Sequence, residues 1–127
     1  MGSTRQGLTP AQGSGYEAPV ATLMLEGIRG AAKGFSLRLN PGEALIGRSR
    51  SCGLSLFRVS AACRSVSKCH AALRLAVDGR LEIEDLSRHG TFLDDDRIDT
   101  AILTDLAHRS HSLRLGRAVT FRLLLGP

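Results

Sequence analysis

Three short polar segments of the sequence contain residue types that bind phosphate. They are Gly47-Arg48, Ser67-Lys68-Cys69-His70 and Ser87-Arg88-His89-Gly90-Thr91. A guanidinium engages phosphate through two parallel hydrogen bonds, an ammonium acts as a point charge, and a hydroxyl donates one short hydrogen bond. A phosphate monoester has about two negative charges and three strong acceptor oxygens near neutral pH. The three segments together therefore predict a site for one phosphorylated group.

The positive charge of the chain is concentrated around the first two segments. The 127 residues include 17 Lys and Arg against 12 Asp and Glu, a formal net charge of +5. The stretch 47–70 contains no acidic residue and five basic ones: Arg48, Arg50, Arg58, Arg64 and Lys68. An acidic run follows at 82–99, where Glu82, Glu84, Asp85, Asp94, Asp95, Asp96 and Asp99 outnumber Arg88 and Arg97. An anion is therefore the natural partner of residues 47–70.

From residue 20 onward, short runs of alternating apolar and polar residues predict β-strands. Phe35–Leu39 ends at the breaker Asn40-Pro41-Gly42, and Leu73–Val77 ends at Asp78-Gly79, whose positive φ angles predict a tight hairpin. About ten or eleven such strands indicate an all-β fold, an antiparallel β-sandwich. Each polar segment then falls in a connection between strands, where a rigid sheet framework commonly presents binding groups.

The remaining segments add no second domain. Residues 1–19 are rich in Gly, Ser, Gln, Thr and Pro without a hydrophobic period, which predicts a flexible tail before a domain at 20–127. Residues 101–107 form the one segment that could be helical, and it is too short to hold a helix alone. His108 and His111 are expected on a solvated connection, and Asp94, Asp95 and Asp96 at a solvated hairpin tip.

The three segments, in this order, resemble the forkhead-associated (FHA) domain. The family pattern is Gly-Arg, then Ser-x-x-His, then Asn-Gly-Thr after an Asp-x-Ser lead-in. The chain has Gly47-Arg48, Ser67–His70 and Asp85–Thr91 at these places. The resemblance runs from about Val20 to Leu125 and implies a β-sandwich that recognises phosphothreonine in partner proteins.

The resemblance also implies roles for individual residues. Arg48 and Ser67 would bind the phosphate directly, and Lys68 would assist them. The residues that match loop-shaping positions of the family are Gly47, His70, Gly90 and Thr91.

The third segment departs from the family pattern at one residue. His89 stands where the family usually has an Asn that tethers the peptide backbone. A neutral imidazole also offers one donor and one acceptor, so phosphopeptide binding with altered affinity and phosphate-independent binding both stay open. Arg88, beside it, is placed to meet the peptide beyond the phosphothreonine, where it would favour an acidic side chain.

Catalysis and metal binding are not expected. A Ser-His pair with Asp85 as its orienter would suggest hydrolysis, but the chain has no nucleophile elbow and no sign of an oxyanion hole. Cys63, Cys69 and His70 lack a CxxC pair and a fourth ligand, so we expect reduced thiols, no metal and no cofactor. The prediction is a non-catalytic module.

Nucleic acid is the alternative partner for a basic chain. Proteins that bind single strands present aromatic platforms for base stacking, and this chain has four Phe, one Tyr and no Trp. We therefore expect no nucleic-acid partner. A scaffold that binds its partner without phosphate is the other alternative.

The predicted partner is a Thr-phosphorylated protein, either a Ser/Thr protein kinase or its substrate. No run of apolar residues reaches the length of a bilayer span, and no secretory signal is present. We expect a cytoplasmic location and no membrane partner.

Overall fold

A computed structural model describes residues 20–59, 64–117 and 119–126 of the chain. These residues contain eleven β-strands and no helix. The strands are β1 (Thr22–Gly30), β2 (Ser36–Leu39), β3 (Gly42–Gly47), β4 (Leu54–Ser55), β5 (Ala71–Leu75), β6 (Leu81–Asp85), β7 (Thr91–Leu93), β8 (Asp96–Ile98), β9 (Thr100–Leu103), β10 (His111–Leu115) and β11 (Val119–Gly126).

The strands form two sheets. One has the order β2-β1-β11-β10-β7-β8, and the other has the order β4-β3-β5-β6-β9. All strand pairs are antiparallel except β3 with β4, where Ile46 pairs with Leu54 and Gly47 with Ser55 in parallel. The predicted all-β sandwich is confirmed, with one parallel pair at an edge.

The core lies between the sheets and follows the alternation of the sequence. Apolar residues at every second position of a strand share one face, so they are buried together. The fully buried members include Leu23 and Leu25 of β1, Leu81 and Ile83 of β6, and Phe121 of β11. The alternating polar residues face outward, as with Glu82 and Glu84 of β6, which pair with Arg74 of β5 at 3.4 and 2.8 Å.

The structure decides one segment that the sequence left open and changes the detail of one predicted turn. The segment 101–107, too short to hold a helix alone, is not helical: residues 101–103 belong to β9, where pairing with β6 supplies their backbone hydrogen bonds. In the β5–β6 connection Gly79 alone has a positive φ, 95°, and its amide donates to Ala76 O at 3.0 Å. The predicted hairpin between β5 and β6 is present, but Asp78 does not share the positive φ expected of it, and Val77 is 65% exposed.

The position of His111 differs from the prediction of a solvated connection. It is only 8% exposed and begins β10, whereas His108 is exposed in the preceding connection as predicted. Asp94 and Asp95 do form the β7–β8 turn, with φ of 50° and 73°. The predicted flexible tail, residues 1–19, lies outside the described residues. Within the described ranges, no helix has the length and apolarity needed to cross a bilayer.

Candidate functional site

Hydrogen bonds between loops bring the three polar segments together. The β3–β4 connection meets the β4–β5 connection where the Arg48 amide donates to Ser67 O at 3.0 Å and the Ser49 amide donates to Lys68 O at 3.1 Å. The β6–β7 connection joins them through the Arg88 amide, which donates to Ser67 Oγ at 3.2 Å. Segments that are far apart in the sequence therefore form one surface.

The Arg48 guanidinium is held from one side. The residue is half-buried, and its Nε donates to Val66 O at 2.9 Å. Among the described residues, no hydrogen bond or ion pair involves its two terminal nitrogens. The side chain is thus fixed in direction while its terminal donors stay available to an anion.

Ser67 and Lys68 complete the polar surface next to Arg48. The Ser67 hydroxyl accepts from the Arg88 amide, which leaves its own proton to donate. Lys68 is exposed, and in the described part of the chain its ammonium makes no ion pair. Its carbonyl also accepts from Cys52 Sγ at 3.2 Å. Burial raises the pKa of the Cys52 thiol, which keeps the proton on sulfur for that bond.

Gly47 allows the two loops to approach closely. A β-carbon on this residue would lie 2.2 Å from Lys68 O and 2.9 Å from the His70 amide nitrogen. Both of those atoms are backbone, so a larger residue would have to displace the whole Lys68 segment. The absence of a side chain at position 47 therefore sets the distance between the Arg48 and Lys68 loops.

The buried His70 ring connects the second and third segments. Its Nδ1 accepts from the Ser67 amide at 3.0 Å, so Nε2 carries the proton and donates to Gly90 O at 2.8 Å. Burial lowers the pKa of His70, although the bond to Gly90 and the charge of Asp85 oppose the shift. The ring is neutral at pH 7 and is fully used by these two backbone contacts.

Asp85 organises the third segment through one carboxylate oxygen. Its Oδ1 accepts from the Ser87 hydroxyl at 2.6 Å, the Thr91 hydroxyl at 2.7 Å and the Ser87 amide at 3.1 Å. Burial favours the neutral acid, but these hydrogen bonds together outweigh it and lower the pKa of Asp85. The Gly90 amide closes the loop by donating to Ser87 Oγ at 2.8 Å. The carboxylate is therefore ionised and internal to the loop.

Arg88 and His89 are exposed at the tip of this loop. The Arg88 backbone is fixed by Ser67 Oγ, whereas in the described residues its side chain makes no ion pair. The Arg88 backbone therefore lies against the Ser67 hydroxyl, and His89 is the next residue of the loop.

The β10–β11 turn also contacts the loops of the site, a contact that the sequence does not predict. The Gly116 amide donates to Gly90 O at 2.9 Å, and the Arg117 amide donates to Ser65 Oγ at 2.9 Å. Ser65 and Arg117 are 52 positions apart. A glycine after a strand signals a turn, but nothing local indicates which loop that turn contacts.

The arrangement suits reversible binding of an anion. It combines a directed guanidinium, a hydroxyl and an ammonium, while the carboxylate that organises the third segment, that of Asp85, is hydrogen-bonded within its own loop. The buried imidazole of His70 has no nitrogen left to accept a proton from a nucleophile. These contacts fit recognition better than acid–base chemistry.

Comparison with known proteins identifies the same region. The FHA domain family model matches residues 44–116, and no curated protein matches the chain. The solution structure of the FHA domain of a hypothetical protein from Arabidopsis thaliana has a TM-score of 0.71 at 22% identity, covering 95% of this chain and 98% of that one.

Two further solved structures have the same fold. The FHA domain of the CT664 protein from Chlamydia trachomatis gives a TM-score of 0.66 at 23% identity, covering 81% of this chain and 96% of its own. An FHA domain studied for phosphothreonine-dependent interactions gives 0.65 at 21% identity, covering 84% and 98%.

Proposed function

Because the chain belongs to the FHA domain family, we propose that it binds phosphothreonine in partner proteins. FHA domains are recognition modules, and membership of the family supports a phosphopeptide-binding module. The finer assignment, phosphothreonine at Arg48, Ser67 and Lys68, is our proposal for this chain. It is supported by the contacts of these residues.

The observation that carries the proposal is the state of Arg48. Its Nε bond to Val66 O fixes the guanidinium, and within the described residues its terminal nitrogens have no protein partner. An Arg with a free, directed pair of donors is suited to bidentate binding of phosphate oxygens. A surface Arg retained for solubility alone would need no such anchor.

Ser67 and Lys68 supply the remaining contacts to the phosphate. The Ser67 proton donates to one phosphate oxygen, and the Lys68 ammonium neutralises the second charge. Gly47, His70, Gly90 and Thr91 hold the loops in this geometry through the hydrogen bonds and close approaches described above.

Arg88 and His89 contact the partner peptide beside the phosphothreonine in this proposal. The exposed Arg88 guanidinium favours an acidic residue of the partner, and the His89 imidazole takes the place of the backbone-binding Asn. Threonine is preferred to serine through burial of one methyl group, worth about 0.8 kcal/mol or roughly a fourfold difference in affinity. The partner is a protein phosphorylated by a Ser/Thr protein kinase, or that kinase itself.

The test is calorimetric titration with one peptide carrying phosphothreonine, phosphoserine or threonine. We expect tightest binding to phosphothreonine and none to threonine. In Arg48→Ala, loss of hydrogen bonds to a charged group, about 1.5–3 kcal/mol, weakens phosphothreonine binding roughly ten- to hundredfold. Arg80→Ala is the matched control, because Arg80 lies in the β5–β6 turn at the opposite end of β5 from His70.

Equal binding of the three peptides, or unchanged binding in Arg48→Ala, contradicts the proposal. Tight binding of the threonine peptide supports instead a scaffold that needs no phosphate. The exposed His89 in place of Asn is the observation that favours this second candidate.

A further inference from the structure

A cleft beside the phosphothreonine site contains two more arginines. It is lined by Phe35, Arg50, Ser55, Phe57 and Arg58 and has a volume of about 550 Å³. The proposed phosphate-binding residues Arg48, Ser67 and Lys68 do not line this cleft. We call it the basic cleft.

The two guanidinium groups of the basic cleft have no acidic partner. Arg50 lies over the Phe57 ring at 4.3 Å from the centroid, and in the described residues neither Arg50 nor Arg58 makes a side-chain hydrogen bond or an ion pair. The sequence agrees with this observation, because residues 47–70 contain no Asp or Glu that could pair with Arg50 or Arg58. By contrast, Arg74 makes three ion pairs, with Glu43, Glu82 and Glu84. The basic cleft is therefore a positive surface without its own counter-charge.

The basic cleft also has an apolar wall. Phe57 is 47% exposed, whereas Phe35 is partly buried and packs against the core. Stacking on the Phe57 ring orders the Arg50 guanidinium while its N–H groups stay on the edge of the plane. This combination suits a ligand with an anionic group on a short apolar stem, such as an acidic or phosphorylated side chain.

Ser49 connects the basic cleft to the phosphothreonine site. Its amide donates to Lys68 O at 3.1 Å, and its carbonyl accepts from Ser55 Oγ at 2.8 Å. The Leu56 amide donates to Gly47 O at 2.8 Å, which fixes the chain between Ser55 and Phe57 to β3. Arg48 and Arg50 are two positions apart in the sequence, with Ser49 between them, so their α-carbons are at most about 7 Å apart. An extended peptide spans that distance in two or three residues.

We propose that the basic cleft binds a second anionic side chain of the same partner peptide, a few residues from the phosphothreonine. The inference rests on the proposed function, since that phosphothreonine positions the peptide. The partner is then an acidic or doubly phosphorylated segment, and the basic cleft gives the site selectivity that Arg48 alone does not supply.

The experiment uses a phosphothreonine peptide with neutral flanking residues as its reference. In one series of peptides a single Asp replaces each flanking residue in turn. In a second series a single phosphoserine does the same. Binding is measured with the wild-type chain, with the Arg50→Gln/Arg58→Gln double variant and with the charge-matched control Arg80→Gln. We expect one or two adjacent positions at which the added anion tightens wild-type binding about three- to tenfold. The double variant loses this gain and keeps its affinity for the reference peptide, and Arg80→Gln keeps both.

The outcomes separate the inference from the function on which it rests. A wild-type series without a favoured position, or a gain that survives in the double variant, overturns the inference while the reference peptide still binds. Failure of the reference peptide to bind the wild-type chain overturns the proposed function itself. A gain with phosphoserine but not with Asp identifies a second phosphate as the ligand. Arg58→Gln alone, at an exposed position, repeats the test if the double variant unfolds.

Discussion

His70 shows how one buried residue controls exposed ones. Its ring contacts neither Arg48 nor Lys68 by hydrogen bond, yet its two nitrogens bind the Ser67 amide and the Gly90 carbonyl. A buried polar group is costly unless its hydrogen bonds are made, so the ring fixes the spacing of the two loops. The pattern Ser-x-x-His is therefore a structural unit as well as a motif.

Gly47 provides a prediction at the same scale. In Gly47→Ala the new β-carbon would lie 2.2 Å from Lys68 O, so the backbone must shift. We expect the free energy of unfolding to fall by about 1–3 kcal/mol, as for other overpacked sites. Phosphothreonine binding should weaken as well, because Lys68 moves away from Arg48. Urea unfolding and peptide titration measure the two effects.

Gly53→Ala is the control for this variant. Gly53 is exposed, and its added β-carbon would lie 3.2 Å from the β-carbon and 4.0 Å from the α-carbon of Ala44. We expect a smaller loss of stability and little change in binding. Similar losses in the two variants would show that the Gly47 contact with the Lys68 segment has no special role.

At the scale of elements, His111 joins two connections that precede and follow β9. Its Nδ1 lies 2.5 Å from Asp94 Oδ2 in the β7–β8 turn, and its Nε2 lies 2.7 Å from Asp105 Oδ1 before β10. Desolvation opposes charge on the ring, but the two carboxylates outweigh it and raise the pKa of His111. The imidazolium and the two aspartates form a clamp at the start of β10.

This clamp predicts a pH dependence of stability. Because the pKa of His111 is raised above its ordinary 6.5, the folded state holds the proton more tightly than the unfolded state. The stabilisation is complete below pH 6.5 and is lost as the pH rises through the folded-state pKa. Relative to His111→Gln, the wild-type chain should be more stable by about 1 kcal/mol near pH 6, where both aspartates are ionised, with the difference shrinking as the pH rises.

Urea unfolding of both proteins from about pH 6 to pH 9 measures this difference. The pKa of His70 is lowered, so its contribution to stability is lost as the pH falls below 6.5, opposite to that of His111. Because the wild-type chain and His111→Gln both contain His70, this contribution cancels in their difference. A difference that is constant or grows with pH would contradict a charged His111.

At the scale of the whole molecule, positive and negative side chains belong to different surfaces. Arg48, Lys68 and Arg88 come from connections that meet at one end of the sandwich, whereas Glu43, Glu82 and Glu84 surround Arg74 on the face of β3, β5 and β6. Residues 47–70, which supply Arg48 and Lys68, contain five basic residues and no acidic one, so the charge of this stretch alone equals the net charge of +5.

This distribution predicts a shallow dependence of binding on salt. One phosphorylated side chain and its neighbours release few counterions, whereas a protein with six to ten phosphodiester contacts loses roughly 10³- to 10⁵-fold in affinity between about 50 and 200 mM salt. We expect less than about a tenfold loss of phosphopeptide affinity over that range. Single-stranded oligonucleotides should not compete with the peptide. A steep slope together with oligonucleotide competition would indicate nucleic-acid binding instead.

The sequence by itself determined the β-sandwich and the order of the three polar segments. Alternation of apolar and polar residues is a local pattern. It predicts strands directly, because successive side chains of a strand lie on opposite faces of the sheet. The local pattern left residues 101–107 ambiguous, because only the pairing of β9 with β6 makes residues 101–103 a strand. The roles of Arg48, Ser67, Lys68, Arg88 and His89 in phosphate and peptide binding stay predictions.

Only the tertiary structure decided which distant residues contact one another. The contact of Arg117 with Ser65, the burial of His111 between Asp94 and Asp105, and the basic cleft all join residues distant in sequence. Such contacts depend on how two sheets and their loops pack, and no local periodicity encodes that packing. Residue types determined which chemical groups the chain contains. Packing determined which of these groups, among the described residues, have no partner in the protein and are therefore available to a ligand.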